Sequence, residues 1–163
     1  MPGDALSPGS TFDLGAWFGN HGKDVTRAPL DKVIAALKAQ GITSFAATGH
    51  CLGGRYVADL TFDGVIAAGL YHHPSLLEIA DLDKLAAFAT PSLWNCCETD
   101  QMFPKEKQDA LKKAFEGKSG FEYHYFAGAS HGFSVRGDMS IPAVKAAKEG
   151  AFTNSVKFLQ AHL

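Results

Sequence analysis

Cys51 lies in a segment whose composition is typical of an enzyme nucleophile. Glycines stand two residues before it and two residues after it, an apolar run precedes the segment, and a helical pattern follows. This is a nucleophile elbow with sulfur in place of oxygen, because Gly49 and Gly53 permit a tight turn that side chains there would obstruct. At a helix N-terminus the dipole favours a thiolate, and the backbone N–H of Leu52 can donate to an oxyanion. The segment therefore predicts covalent catalysis by a cysteine.

Asp100 and His131 supply the two further groups that a cysteine nucleophile needs. Each follows an apolar run of the sequence, as Cys51 does. A histidine can draw the thiol proton or hold the thiolate in an ion pair, and a carboxylate can fix the imidazole tautomer and stabilise its charge. The carboxyl ends of parallel strands meet at one edge of a sheet, so we expect the three side chains to lie together there. The sequence thus predicts Cys51 as nucleophile, His131 as base and Asp100 as orienting acid.

The hydrophobic pattern predicts an α/β fold. Four apolar runs are typical of buried strands, and helical spacing of apolar residues separates them. The predicted strands cover residues 42–48, 65–71, 91–97 and 121–126. The predicted helices cover residues 28–40, 53–60, 75–88 (the first half of which is open between helix and loop), about 104–117 and 142–162. Such alternation favours a mainly parallel sheet of about four strands with right-handed crossovers and helices on both faces.

The chain has the length of one domain. Its 163 residues can bury most of their apolar surface in a single core and are too few for two ordinary domains. Residues 1–25 are rich in Gly, Pro, Ser, Asp and Asn. We expect an irregular N-terminal arm there and a folded domain over residues 26–163.

Composition and charge exclude several classes of partner. A net charge of −2 argues against nucleic acid and anionic membranes, and no apolar stretch is long enough to span a bilayer. The sequence begins with neither a basic nor an apolar leader region, which predicts a cytoplasmic protein. Three cysteines, two of them adjacent, do not form a disulfide framework and are expected to stay reduced. The histidines near Tyr71 fit no zinc spacing, so we expect no metal site.

Three segments together resemble the dienelactone hydrolase family, particularly its fungal members. The chain order Cys, Asp, His is also that of α/β-hydrolases. The segments are Gly49-His50-Cys51-Leu52-Gly53-Gly54-Arg55-Tyr56, Glu98-Thr99-Asp100-Gln101-Met102-Phe103-Pro104 and Ala129-Ser130-His131-Gly132-Phe133-Ser134-Val135-Arg136-Gly137. The resemblance covers nearly the whole chain. It implies an α/β-hydrolase fold and hydrolysis of a small ester or lactone through a thioester acyl-enzyme, with no metal or organic cofactor.

The chain also differs from the family pattern, because family members carry about another half domain before the residues seen here. That part supplies the first strands of the sheet and the loop with the second oxyanion donor. Losing one donor lowers transition-state stabilisation by about 3 kcal/mol, or about two orders of magnitude in rate. The strand at Ile42–Thr48 then forms an uncovered sheet edge. We expect this edge to pair with a second copy in a homo-oligomer, or residues 1–25 to fold across it.

Two further residues are candidates for substrate contact. Arg136 matches a family position linked to a substrate carboxylate, with a solvated surface arginine as the alternative. His50, next to Cys51, is expected to line the pocket or to cap the turn. Two other functions stay open for the chain: a non-catalytic hydrolase remnant that serves in binding or oligomerisation, and a redox sensor built on Cys51. A sensor needs a resolving cysteine, and Cys96 and Cys97 are expected to be buried in the core.

Overall fold

The computed structural model describes residues 13–163. The chain divides into two compact units, residues 1–43 and residues 44–163. This division lies 18 residues beyond the predicted boundary at residue 25. No helix within the described residues is both long enough and apolar enough to cross a membrane.

The described part of the first unit, residues 13–43, contains two helices, α1 (Leu14–Asn20) and α2 (Lys23–Ala39). Residues 1–12 of the predicted irregular arm lie outside the described residues, whereas residues 14–20 and 23–25 are helical. A local cap explains the first helix, because the Asp13 carboxylate accepts a hydrogen bond from the N–H of Ala16 at 3.0 Å. Helix α2 begins five residues before the predicted start at residue 28, and Pro29 lies inside it rather than in its first turn.

The second unit is built on a parallel sheet of four strands in the order β1-β2-β3-β4. This confirms the predicted fold class. The strands are β1 (Ala46–His50), β2 (Ala68–His72), β3 (Ser92–Thr99) and β4 (Phe121–Ser130). Because every neighbouring pair is parallel, the carboxyl ends of all four strands lie at one edge of the sheet.

Four helices belong to this unit: α3 (Leu52–Phe62), α4 (Ile79–Ala86), α5 (Lys105–Ala114) and α6 (Pro142–His162). The three connecting helices share one face of the sheet, as successive right-handed crossovers between neighbouring strands require. That face buries Tyr71 and Trp94, whose rings stack with centroids 3.9 Å apart. Helix α6 covers the other face, where its Phe158 packs with Leu70 and Leu93.

The observed strands extend further toward their carboxyl ends than the apolar pattern indicates. The predicted strand 42–48 begins at Ala46 and ends at His50, and the predicted strand 121–126 runs on to Ser130. Ile42 is 42% exposed, so the start of this apolar run is not part of the core. The last residues of β1, β2, β3 and β4 are His50, His72, Thr99 and Ser130, which are polar and lie at the edge where the candidate site is found.

Candidate active site

Cys51 occupies a sharp turn between β1 and α3. Its backbone has φ 52° and ψ −118°, in a region that residues other than glycine seldom adopt. The turn is held because the N–H of Cys51 donates to the carbonyl oxygen of His72 at 3.1 Å, which continues the β1–β2 ladder past the end of β1. The C=O of Cys51 accepts hydrogen bonds from the N–H groups of Gly54 and Ser75. A strained backbone fixed on both sides has the geometry expected of a nucleophile elbow.

The two glycines of the elbow have different roles. A Cβ at Gly49 would lie 2.3 Å from the backbone C and O atoms of Gly53, so this position accepts glycine alone. A Cβ at Gly53 would meet nothing within 4 Å. The expectation that side chains at both positions would collide is therefore wrong for Gly53. The second close approach is at Gly54, where a Cβ would lie 2.6 Å from that of Pro74.

The structure brings the three predicted catalytic side chains together at the carboxyl edge of the sheet. The Nδ1 atom of His131 lies 2.8 Å from Oδ1 of Asp100. Nε2 of His131 is buried and makes no hydrogen bond of good geometry with the described residues, yet the ring is near enough to Cys51 for the two groups to shift each other's pKa. Such contacts in ligand-free active sites are often long and tighten when substrate binds.

Asp100 is held rigidly in the loop after β3. Its Oδ1 atom also accepts hydrogen bonds from the N–H groups of Met102 and Phe103, both at 2.9 Å. Burial raises the pKa of Asp100, and the hydrogen bonds from His131 and from these backbone groups outweigh that effect, so the net pKa is lowered. The carboxylate therefore stays ionised and accepts the Nδ1–H of His131.

The electrostatics of the site favour a thiolate–imidazolium pair. The interaction with His131 lowers the pKa of Cys51 to about 7, against the opposing effect of burial. The hydrogen bond to Asp100, followed by the interaction with Cys51, raises the pKa of His131 to about 9. Between these two values Cys51 is a thiolate and His131 carries a proton, which is the state that a cysteine nucleophile needs.

Two further groups face the sulfur. The backbone N–H of Leu52, the first residue of α3, interacts with Cys51 and contributes to the low pKa of the thiol. The Oγ atom of Ser75 lies 3.6 Å from Sγ, and Ser75 is 2% exposed. Leu52 was predicted as an oxyanion donor, whereas no sequence pattern singled out Ser75 for a role in catalysis.

Ser134 joins two histidines beside His131, a connection that the sequence does not reveal. Its Oγ atom lies 2.8 Å from Nδ1 of His50 and 2.7 Å from Nε2 of His73. Nδ1 of His73 is buried and has no hydrogen-bond partner among the described residues. Burying an unpaired lone pair costs less free energy than burying an unpaired N–H, so we assign the proton of the ring to Nε2. The Nε2–H of His73 then donates to Ser134, and the Ser134 hydroxyl donates to His50.

The histidines around His131 are neutral at pH 7. Burial, followed by repulsion from His131 and His50, lowers the pKa of His73 to about 4, and burial together with His50 lowers that of His72 to about 3. The ring of His73 meets the ring of His131 edge-on, with centroids 4.9 Å apart. Since its neighbours are uncharged, the one positive imidazole of this cluster is His131.

His50 packs its ring against His72 and contacts Ser134. Its ring stacks on that of His72 with centroids 4.3 Å apart, and its pKa is lowered by burial. It lines a cavity of about 230 Å³ between the sheet and α6, with apolar residues such as Leu70 and Phe152. The structure thus places His50 on a pocket wall with Nδ1 already bonded to Ser134.

Arg136 lies on the exposed rim of the site. Its N–H donates to the carbonyl oxygen of Gly132 at 2.9 Å, which keeps it in the loop that carries His131. Arg136 makes no ion pair within residues 13–163, and the residue is exposed to solvent. Within residues 13–163, no group of three or more His, Cys, Asp or Glu side chains is arranged to hold a metal ion.

The adjacent cysteines of β3 are buried and free, as expected. Cys97 packs in a core cluster with Phe133, and its Sγ lies 3.7 Å from Oδ2 of Asp100. Burial, followed by the charge of Asp100, raises the pKa of Cys97 to about 12. The Cys97 thiol therefore stays protonated, and it is poorly suited to act as a resolving thiol for a redox cycle at Cys51.

Comparison with known proteins yields similar hydrolases over nearly the whole chain. Residues 13–163 match the model of the dienelactone hydrolase family. "Hydrolase tropI" of Talaromyces stipitatus is 28% identical over 175 residues, which cover 99% of this chain and 67% of that protein. "Dienlactone hydrolase 1" of Gibberella moniliformis is 28% identical over 153 residues, covering 91% of this chain and 58% of that protein. The chain thus spans about three fifths to two thirds of these relatives.

Solved structures show the same fold. A protein from Klebsiella pneumoniae whose name gives it as a dienelactone hydrolase superposes with a TM-score of 0.70 at 15% identity, covering 92% of this chain and 68% of the other. A hydrolase described as CIB-like from Thermoplasma acidophilum has a TM-score of 0.58 at 18% identity, covering 80% of this chain and 57% of the other. At these identities the likeness concerns the fold alone.

Proposed function

The chain belongs to the dienelactone hydrolase family, and on that premise we propose that it hydrolyses small carboxylic esters or lactones with a Cys51–His131–Asp100 triad. The observation that carries the proposal is the position of His131, whose Nδ1 is bonded to Asp100 and whose ring interacts with Cys51. This arrangement supports acyl transfer through a thioester. The residues of the triad need no metal or organic cofactor for that chemistry.

The first half of the proposed reaction forms the acyl-enzyme. The Cys51 thiolate attacks the carbonyl carbon, and the π electrons of the carbonyl group move to its oxygen. We expect the backbone N–H of Leu52 to donate a hydrogen bond to this oxyanion, because it already interacts with Cys51. When the intermediate collapses, the C–O bond breaks and the proton on Nε2 of His131 passes to the leaving oxygen, so that an alcohol departs.

The second half regenerates the enzyme. Neutral His131 takes a proton from water while the oxygen of that water attacks the thioester carbon. The tetrahedral intermediate then expels the Cys51 thiolate and leaves a carboxylic acid. His131 ends as an imidazolium, and the hydrogen bond to Asp100 stabilises its charge. The thiolate–imidazolium pair is thereby restored for the next turnover.

The other properties proposed for the chain follow from its surface and its cysteines. Arg136 is exposed and lies in the loop that carries His131, a position that suits substrates with a carboxylate. Three free cysteines suit a reducing compartment, which supports a cytoplasmic location. The net charge of −2 supports a small molecule as partner rather than nucleic acid or a membrane.

A burst assay tests the proposed reaction. The chain is mixed with a p-nitrophenyl ester of a short acid, and released nitrophenol is recorded beside Cys51→Ala and the matched control Cys96→Ala. We expect a burst of about one equivalent followed by steady turnover, since the acyl-enzyme forms before it is hydrolysed. Mass spectrometry of a quenched sample should locate the acyl group on the peptide that contains Cys51.

The two cysteine variants decide the outcome. Cys96 is 1% exposed and burial raises the pKa of its thiol, so Cys96→Ala should keep the burst. A burst that persists in Cys51→Ala would assign the reaction to another group. A flat trace from the correctly folded wild-type chain would contradict turnover and favour the alternative, a hydrolase fold that serves in binding or oligomerisation.

A further inference from the structure

We propose that Ser75 is a catalytic residue whose hydroxyl group donates to the developing oxyanion, alongside the backbone N–H of Leu52. The proposal rests on the function proposed above and adds a second donor to it. Three observations carry it: the contact of Oγ with the reacting sulfur, the burial of the side chain, and the strained loop that presents it.

The first observation is the position of the hydroxyl group. Oγ of Ser75 lies 3.6 Å from Sγ of Cys51, and within the described range this is the one side-chain hydrogen bond of the hydroxyl group. Beside a thiolate, which has no proton to give, the hydroxyl is the donor. Its contact also lowers the pKa of Cys51, as a hydrogen bond to the charged form must.

The second observation is burial. Ser75 is 2% exposed, so its hydroxyl group does not exchange its partner for bulk water. A buried donor that is already oriented needs little reorganisation when negative charge develops next to it. Its electrostatic effect is also larger than it would be in water. A serine that merely filled space would gain nothing from pointing its polar atom at the sulfur.

The third observation is the loop after β2 that carries Ser75. His73 and Leu76 have φ values of 34° and 57°, so residues in a left-handed conformation stand on both sides of it. The N–H of Ser75 donates to the C=O of Cys51 at 3.0 Å, and that of His73 donates to the C=O of Asn95 at 2.9 Å. Strain that surrounding contacts maintain in this way is characteristic of functional sites.

The donor can follow the charge through the reaction. When Sγ bonds to the carbonyl carbon, the negative charge moves from sulfur to the carbonyl oxygen, which is two bonds from Sγ. The hydroxyl group can rotate from one acceptor to the other without moving the backbone. No proton leaves Ser75 at any step, since His131 supplies the proton for the departing alcohol. A hydrogen bond from the hydroxyl group to an anionic oxygen is shorter and stronger than its 3.6 Å contact with sulfur, so Ser75 favours the tetrahedral state over the bound ester.

The test compares Ser75→Ala with the wild-type chain and with Ser92→Ala. Ser92 is also buried, at 6% exposed, but it lies at the amino end of β3, away from the candidate site. There its hydroxyl group accepts a hydrogen bond from the indole N–H of Trp94. The thiol titration is followed by the ultraviolet absorbance of the thiolate, and acylation is followed by stopped flow. In Ser75→Ala we expect the pKa of Cys51 to rise above its value of about 7 and the acylation rate to fall about 10²-fold, with little change in the dissociation constant of the enzyme–substrate complex.

The outcomes separate the proposal from the function on which it rests. Ser92→Ala should match the wild-type chain in both measurements. An acylation rate in Ser75→Ala within threefold of the wild-type rate would overturn the proposal, whether or not the thiol titration moves. A wild-type chain that forms no acyl-enzyme would instead contradict the proposed function, and the role of Ser75 would fall with it.

Discussion

Nδ1 of His131 lies 2.8 Å from Oδ1 of Asp100, across 31 positions of the chain. The same carboxylate oxygen accepts the N–H groups of Met102 and Phe103, so Asp100 cannot turn away from the ring. The contact holds the proton of neutral His131 on Nδ1 and leaves Nε2 available for proton exchange with Cys51. Asp100 thus determines both the orientation and the charge of His131.

Replacing this carboxylate by an amide should remove most of the activity. In Asp100→Asn the largest cause of the raised pKa of His131 is lost, so the imidazolium becomes less stable and the thiol regains its proton at neutral pH. We expect kcat/KM to fall about 10³-fold. The surface variant Asp109→Asn is the control, because Asp109 forms its ion pairs with Lys105 and Lys112 of its own helix. Equal activity in both variants would rule out a triad role for Asp100.

The ion pair predicts a bell-shaped pH dependence. The thiol must be ionised, so kcat/KM should rise with pH through about 7. The imidazole must carry a proton for the leaving alcohol, so the rate should fall as pH rises through about 9. The alkaline limb should be clear with an ethyl ester and weak with a nitrophenyl ester, whose leaving group needs no proton. A profile that rises without limit for both esters would contradict a protonated His131.

Much of this site follows from the sequence because its chemistry is local to three short segments. The elbow, the acid and the base each follow an apolar run, and parallel strands bring such positions to one edge. The ends of the strands are harder to predict. His50, His72 and Ser130 are polar and close their strands, so a hydrophobic pattern stops short of them.

The contacts of the surrounding network cannot be predicted from any local pattern. Ser134 contacts His50 across 84 positions and His73 across 61, and Ser75 reaches Cys51 across 24. Serine is common in loops, and its hydroxyl group gains a role only when the fold brings an imidazole or a thiolate to it. Such contacts depend on the packing of loops from different strands, which neither periodicity nor spacing encodes.

Arg136 gives a prediction about substrate charge. If its exposed guanidinium binds a substrate carboxylate, Arg136→Gln should raise KM about 3- to 5-fold for a half-ester of a dicarboxylic acid. The neutral diester of the same acid should be unaffected, because it offers no charge at that place. Steady-state kinetics with this matched pair of substrates measure the effect. Equal changes in KM for both substrates would assign Arg136 a structural role.

Strand β1 gives a prediction about assembly, since it stands at one end of the sheet order. The N–H of Cys51 and the C=O of Phe45 point toward β2, so alternation directs the N–H of Thr48 away from it. If β1 pairs with a second copy, light scattering should give a dimer for the wild-type chain and for Thr48→Val. Thr48→Pro removes the outward donor and should shift the mass toward the monomer. A monomeric wild-type chain would contradict pairing through β1.

The elbow glycines allow a prediction in which two similar substitutions have opposite effects. In Gly49→Ala the new methyl group would lie 2.3 Å from the backbone of Gly53, and neither backbone can yield without moving the turn that carries Cys51. We expect the free energy of unfolding to fall by about 3 kcal/mol. In Gly53→Ala the methyl group meets nothing within 4 Å and joins a helix, so the free energy of unfolding should stay equal or rise by up to about 1 kcal/mol.

Urea unfolding followed by circular dichroism measures both variants of the elbow. The two substitutions add the same methyl group within one motif, so a difference between them reports the space at each position rather than helix propensity alone. Equal destabilisation would mean that both glycines are needed for the turn. A stable Gly53→Ala that keeps its ester burst would show that, at this elbow, the close approach between β1 and α3 requires glycine only on the strand side of the pair.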